Sequence, residues 1–236
     1  MDRLHLHELL SGLRSDHERG KSPGRRLCRA CVDLVEVSSA GIMLMDDDEN
    51  GTSLGVSDEV AGAIEDLQFT LGEGPGIDAH ALGRPVLGPR LSDPDGVRWP
   101  AFAPAAVSAG VFAAFGFPLR VGAIRLGSLD LYQGRPGVLA ATQLADAITM
   151  AGIVTSTVII VQESAGAGSL AVDMDNPGDL RTEVHQASGM ISGQLDINIR
   201  SALLRLRAYA YSEGRSINDV ARDVVTRQLR FGGSLN

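Results

Sequence analysis

LRTEVHQASGMISGQLDINIRSALLRLRAYAYSEGRSINDVARDVVTRQL, the stretch from Leu180 to Leu229, divides into three short amphipathic helices. Leu180, Val184, Ala187, Ile191 and Leu195 recur at the three- and four-residue steps of one helix face. Ile199, Leu203, Leu206 and Ala210 repeat that spacing, and Ile217, Val220, Ala221, Val224, Val225 and Leu229 supply a third stripe. The punctuation agrees. Asn198 is placed to cap the second helix, Gly214 to end it, and Ser216 with Asp219 to open the third. Off the stripes, Arg200, Leu204, Arg207 and Tyr211 share one row of the second helix, while Arg181, His185, Ser188 and Ser192 make a polar row on the first. Guanidinium groups neutralise phosphates, and planar side chains stack on unpaired bases. Gly189, in the middle of its helix, costs about 1 kcal/mol relative to Ala. Either a closely packed helix or a ligand approaching the backbone would account for it. The competing reading is a solvated arginine face with no ligand.

Val184-His185-Gln186-Ala187-Ser188-Gly189-Met190-Ile191, then Ala202 through Ala210, then Asp219-Val220-Ala221, resemble the ANTAR domain, a family of RNA-binding transcription antiterminators. The resemblance covers about the last fifty-five residues. It implies a three-helix fold at residues 177–232 that binds paired RNA hairpins, usually as a dimer. It also implies an RNA-binding set of Ala187, Ser188, Gly189, Met190, Arg200, Arg205, Arg207 and Tyr211. Ser188 stands where many members carry a basic residue, which shifts weight to Arg205 and Arg207.

The charge distribution fits a tail that meets a polyanion. From residue 177 onward there are eight arginines and six acidic residues, whereas the preceding part has 13 basic and 23 acidic ones. At 236 residues, 44% hydrophobic and 21% charged, the chain has the composition of a soluble one- or two-domain protein. No secretory signal opens it, and the most apolar run, Ala147 to Val161, is shorter than a membrane span and interrupted by Thr and Ser. A cytoplasmic location without membrane association is expected.

Between Pro23 and Glu163 strand and helix patterns mix, which predicts an α+β domain at 23–163. It follows an N-terminal helical extension (1–22) and precedes a linker (164–176). Helices are expected at Arg25–Val37, Asp58–Leu67 and Val138–Gln162. Strands are expected at Ala40–Met45, Thr52–Val56, Phe112–Leu119 and Ser128–Tyr132, with Asn50-Gly51 as a hairpin turn after the acidic run Asp46–Glu49. Gly72-Glu73-Gly74-Pro75, Arg98-Trp99-Pro100 with Phe102, Phe117-Pro118-Leu119 and Gly127-Ser128-Leu129-Asp130-Leu131-Tyr132 resemble, in order, the signposts of a GAF sensory domain. That resemblance implies a five- or six-stranded antiparallel sheet and a pocket for a small ligand. His80, Trp99 and Phe117 are the candidate lining residues.

Other chemistry reads as structural. The Gly72–Gly76 loop lacks the Lys-Ser/Thr ending of a P-loop, and Pro75 removes an amide. Cys28 and Cys31 share one side of a helix, where core packing outweighs a redox pair. The five His residues are scattered, the acidic run lacks the spacing of a calcium loop, and no catalytic triad or carboxylate pair emerges, so no enzyme, metal or cofactor is expected. The helix at 138–162 is apolar nearly all round, which predicts a homodimer contact. Two alternatives remain beside the RNA-binding regulator: a protein-interaction signalling module, and a GAF-based redox or small-ligand sensor.

Overall fold

In the computed structural model, which describes residues 23–45, 51–93, 98–164 and 180–232, two long strands form the spine. β1 (Ser39–Met45) and β2 (Gly51–Val56) precede a short β3 (Val86–Gly88), and β4 (Ala113–Val121) turns directly into β5 (Ile124–Gln133). All pairings are antiparallel and the order is β2-β1-β5-β4-β3. This is a five-stranded α+β arrangement within the range that the GAF resemblance implies. β3 has three residues, too few for a periodic signal, and was not anticipated.

Strand alternation sorts the side chains onto two faces. Ile42, Leu44, Phe115, Phe117, Leu119, Leu129 and Leu131 point to one side. There they pack on α1 (Pro23–Val35) through Leu27, Cys28, Cys31 and Val35, and on the long helix α5 (Ala141–Ser164) through Ala147, Met150, Ala151, Val154 and Val158. Each large side chain so buried contributes about 1.5–3 kcal/mol. The opposite face is covered by α2 (Glu59–Leu71), α3 (Pro75–Leu82) and α4 (Phe102–Ser108). It presents small and polar groups: Gly41, Ala114, Gly116, Ser128, Asp130 and Tyr132.

Several boundaries differ from the expectations. α2 runs four residues beyond Leu67 because Phe69 buries its ring and extends the apolar face. α3 begins on Pro75 at its first turn, a position where Pro loses no hydrogen bond, so the glycine-rich loop is a helix–helix junction rather than a simple turn. α5 starts at Ala141, leaving Val138 76% exposed ahead of it. Ile148 faces outward at 51% exposure. By length and composition α5 is apolar enough to cross a bilayer, yet its inner face is part of the sheet's core.

Three further helices, α6 (Leu180–Leu195), α7 (Ile199–Ser212) and α8 (Ile217–Val225), bury Val184, Ala187, Ile191, Leu203, Leu206, Val220 and Val224 against one another. Asn198 Oδ1 accepts from Ser201 N at 2.8 Å, and Ser216 Oγ accepts from Asp219 N at 3.1 Å, as the capping residues predict. This apolar cluster continues onto Met43, Met45 and Phe69, so the helices rest on the α2 side of the sheet. The N-terminal extension, the acidic turn before Gly51 and the linker from 165 onward lie outside the described residues.

Candidate functional site

α2 and α3 meet the sheet through a buried polar network. Gly76 N, one of the amides that the first turn of α3 leaves without a helical partner, donates to Gln68 Oε1 at 2.8 Å. Gln68 Nε2 donates to the Tyr132 hydroxyl at 2.9 Å, and that hydroxyl donates to Glu65 Oε1 at 2.9 Å. Ser128 Oγ donates to Asp130 Oδ2 at 2.8 Å. Glu65, Gln68, Ser128, Asp130 and Tyr132 are all at most 1% exposed. Burial, then the Glu65 charge, push the Asp130 carboxyl well above its ordinary value. Burial, then Glu65 and Asp130, raise the Tyr132 phenol as well.

Close approach explains three glycines here. A Cβ on Gly116 would strike the Pro75 carbonyl, and one on Gly76 would strike the Asp130 carboxyl. A Cβ on Gly41 would meet the Glu65 carboxyl. The chain's own groups therefore occupy the sheet–helix interface at these points. Chemically the arrangement gathers two acids and a phenol inside an apolar shell, where burial favours the neutral forms of Asp130 and Tyr132.

The motif residues at the rim do tethering work. Glu73 Oε2 accepts from Ala101 N at 2.9 Å and Phe102 N at 3.1 Å, capping α4 from a distance. Trp99 Nε1 and Arg98 both reach Asp78 Oδ2, each at 3.0 Å. Of the three expected pocket residues, His80 on α3 and Trp99 are buried on this face. Phe117 is not. Its position in β4 is odd where Gly116 and Pro118 are even, so its ring enters the opposite core beside α1 and α5.

Cys28 and Cys31 lie in that same opposite core, both fully buried. Cys28 Sγ donates to the Gly55 carbonyl at 3.1 Å. Burial, then Cys31 and the acids behind it, raise its thiol well above the ordinary range, and burial raises Cys31 to about 12. Neither is disposed to form a reactive thiolate.

In the helical tail the expected RNA-contact residues separate into two groups. Arg200, Arg205 and Tyr211 on α7 are exposed, Tyr211 at 73%, as is the neighbouring Leu204 at 64%, which was not in that set. Gly189 faces outward on α6, and a Cβ there would meet none of the described residues within 4 Å, so no helix among them packs on it. Ala187 and Ser188 face inward and are fully buried, which corrects their expected place at a ligand surface. The reason is helical phase: Ala187 falls on the stripe of Val184 and Ile191, and Ser188 Oγ donates to the Val184 carbonyl at 2.8 Å. Met190 is half-buried against the tail core. Arg207 is also half-buried, lying over Phe69 of α2.

Sequence reasoning missed Glu65, Gln68, Asp130 and Tyr132 as a set. The readable signals were polar residues at every second position of β5 and the i, i+3 pair Glu65 and Gln68 beside Ile64 and Phe69.

No family model matches the chain, and no curated protein does. Among solved structures, the chain is similar to a domain of a two-component sensor histidine kinase protein from Sinorhizobium meliloti 1021. Identity is 19%, over 59% of this chain and 90% of that one, with a TM-score of 0.48. It is also similar to the GAF domain of a phosphoenolpyruvate-protein phosphotransferase from Coxiella burnetii, with 13% identity over 71% and 99% of the two chains and a TM-score of 0.48. The corresponding Acinetobacter GAF domain gives 13% identity, 72% and 100% coverage and a TM-score of 0.47. The likeness is one of fold.

Proposed function

We propose that this protein is a non-catalytic RNA-binding regulator of transcription antitermination, in which a GAF-like sheet domain governs a hairpin-binding helical tail. The observation that carries the reading is the outer surface of α7, where Arg200, Arg205, Leu204 and Tyr211 are all exposed. Cations there would contact phosphates, and the Tyr211 ring would stack on an unpaired loop base. On α6 the open backbone at Gly189 adds a place where a ribose or phosphate could approach.

The long helix supports a paired state. Ala145, Ile148, Thr149, Gly152, Ser156 and Ile160 form an outward row on α5 without a charged side chain. Among the described residues nothing lies within 4 Å of a Cβ at Gly152, so a second copy of the helix has room for close approach there. Two tails held together would bind a two-hairpin RNA with raised effective concentration.

The test is binding of the full chain to an RNA carrying two tandem stem-loops, measured across a salt series. Affinity is expected to fall steeply with salt, and Arg205→Ala to weaken binding and reduce the logarithmic salt slope by about 1. An Arg200→Ala, Arg205→Ala double variant that binds like the parent at every salt concentration removes this mechanism. The exposed Leu204 and Tyr211 favour one rival, a protein-docking surface. That rival predicts little dependence on salt and no dependence on the arginines.

A further inference from the structure

Arg207 shares its helix row with Arg200, Leu204 and Tyr211, yet it alone of the four turns away from solvent. Its guanidinium carbon lies 5.5 Å from the centre of the Phe69 ring. Phe69 also meets His185 of α6 in a T-shaped contact, with ring centres 5.9 Å apart at 65°. Beside them Gly72 ends α2 in the left-handed region, at φ 64°, where a side chain is disfavoured. A Cβ at Gly72 would also stand only 2.9 Å from Arg207 Nη1. The C-terminal end of a helix carries partial negative charge, which favours a cation at this spot.

We propose that Arg207 is a latch that holds the tail against the end of α2 and that hairpin RNA must compete for it. This rests on the RNA-binding reading above. In this seat Arg207 Nε and Nη2 are closed off from solvent, so a phosphate gains the full guanidinium fork only when the side chain leaves Phe69, and docking and full RNA contact exclude each other. The seat is also tied to the buried network. Glu65 and Gln68 precede Phe69 by four residues and one residue on the same helix, and both are hydrogen-bonded to Tyr132. Any event that shifts α2 at that network moves the seat of Arg207, which gives the sheet domain a mechanical route to the tail.

The experiment uses the full chain and a fluorescent RNA with two tandem stem-loops. Phe69→Leu keeps an apolar side chain in the cluster but removes the ring face. It is expected to bind the RNA about threefold to thirtyfold tighter than the parent, the worth of one cation–π contact. In the unmodified protein, saturating RNA is expected to speed hydrogen exchange of the amides at the C-terminal end of α2. A parent that binds RNA while Phe69→Leu binds no tighter and α2 exchange stays unchanged overturns the latch alone. Failure of the parent and every variant to bind the RNA removes the RNA reading and the latch with it.

Discussion

The hydroxyl of Tyr132 stands between Gln68 and Glu65, accepting from one at 2.9 Å and donating to the other at 2.9 Å. It joins the middle of the sheet to α2 in a region shut off from solvent. Tyr132→Phe would keep the ring and its packing while depriving both α2 side chains of a buried partner. The expected cost is about 1–3 kcal/mol. It should appear as a lower urea midpoint with an unchanged slope. A midpoint equal to the parent's would show that the network contributes nothing net.

Asp130 makes stability depend on pH in a direction opposite to a salt-bridged acid. Burial and the Glu65 charge raise it above the ordinary 3.8, so between that value and its raised value the folded state holds a proton that the unfolded chain releases. The stabilisation is full below pH 3.8 and is lost as pH rises toward the raised value, with a slope of at most about 1.4 kcal/mol per pH unit for one proton. Asp130→Asn stays neutral and can still accept from Ser128. Unfolding midpoints measured from pH 4 upward should therefore decline less steeply for Asp130→Asn than for the parent. Parallel profiles would show that Asp130 does not carry the proton.

The outward row of α5 gives a separate prediction. Ile148→Glu places a charge in the middle of the proposed helix–helix contact while leaving the sheet-facing residues Ala147 and Met150 in place. An uncompensated charge in such a contact costs several kcal/mol. Sedimentation is expected to find a dimer for the parent and a monomer for the variant at the same micromolar concentration. A monomeric parent would remove the pairing, and with it the effective-concentration argument for two hairpins.

Much of the fold was legible because its signals are local. The stripes of α6, α7 and α8 repeat at helical spacing, and Asn198 and Ser216 mark their starts by a chemistry that involves only three or four residues. β4 and β5 were legible as apolar runs, but alternation alone did not say which parity faces which layer. Phe117, a candidate pocket residue, therefore lies on the other side of the sheet. That is a question of phase against a partner that sequence spacing does not specify.

The amino-acid order by itself determined the helices of the tail, the two long strands and the concentration of arginine at the C-terminal end, because periodicity, caps and charge are properties of neighbours in the chain. Only the tertiary structure decided that Glu65, Gln68, Asp130 and Tyr132 meet, and that Arg207 lies on Phe69 while Arg200 and Arg205 face solvent. Glu65 and Tyr132 are 67 positions apart. Contacts at that separation depend on how whole elements stack, and burial then sets which polar groups are hydrogen-bonded, protonated or left in water.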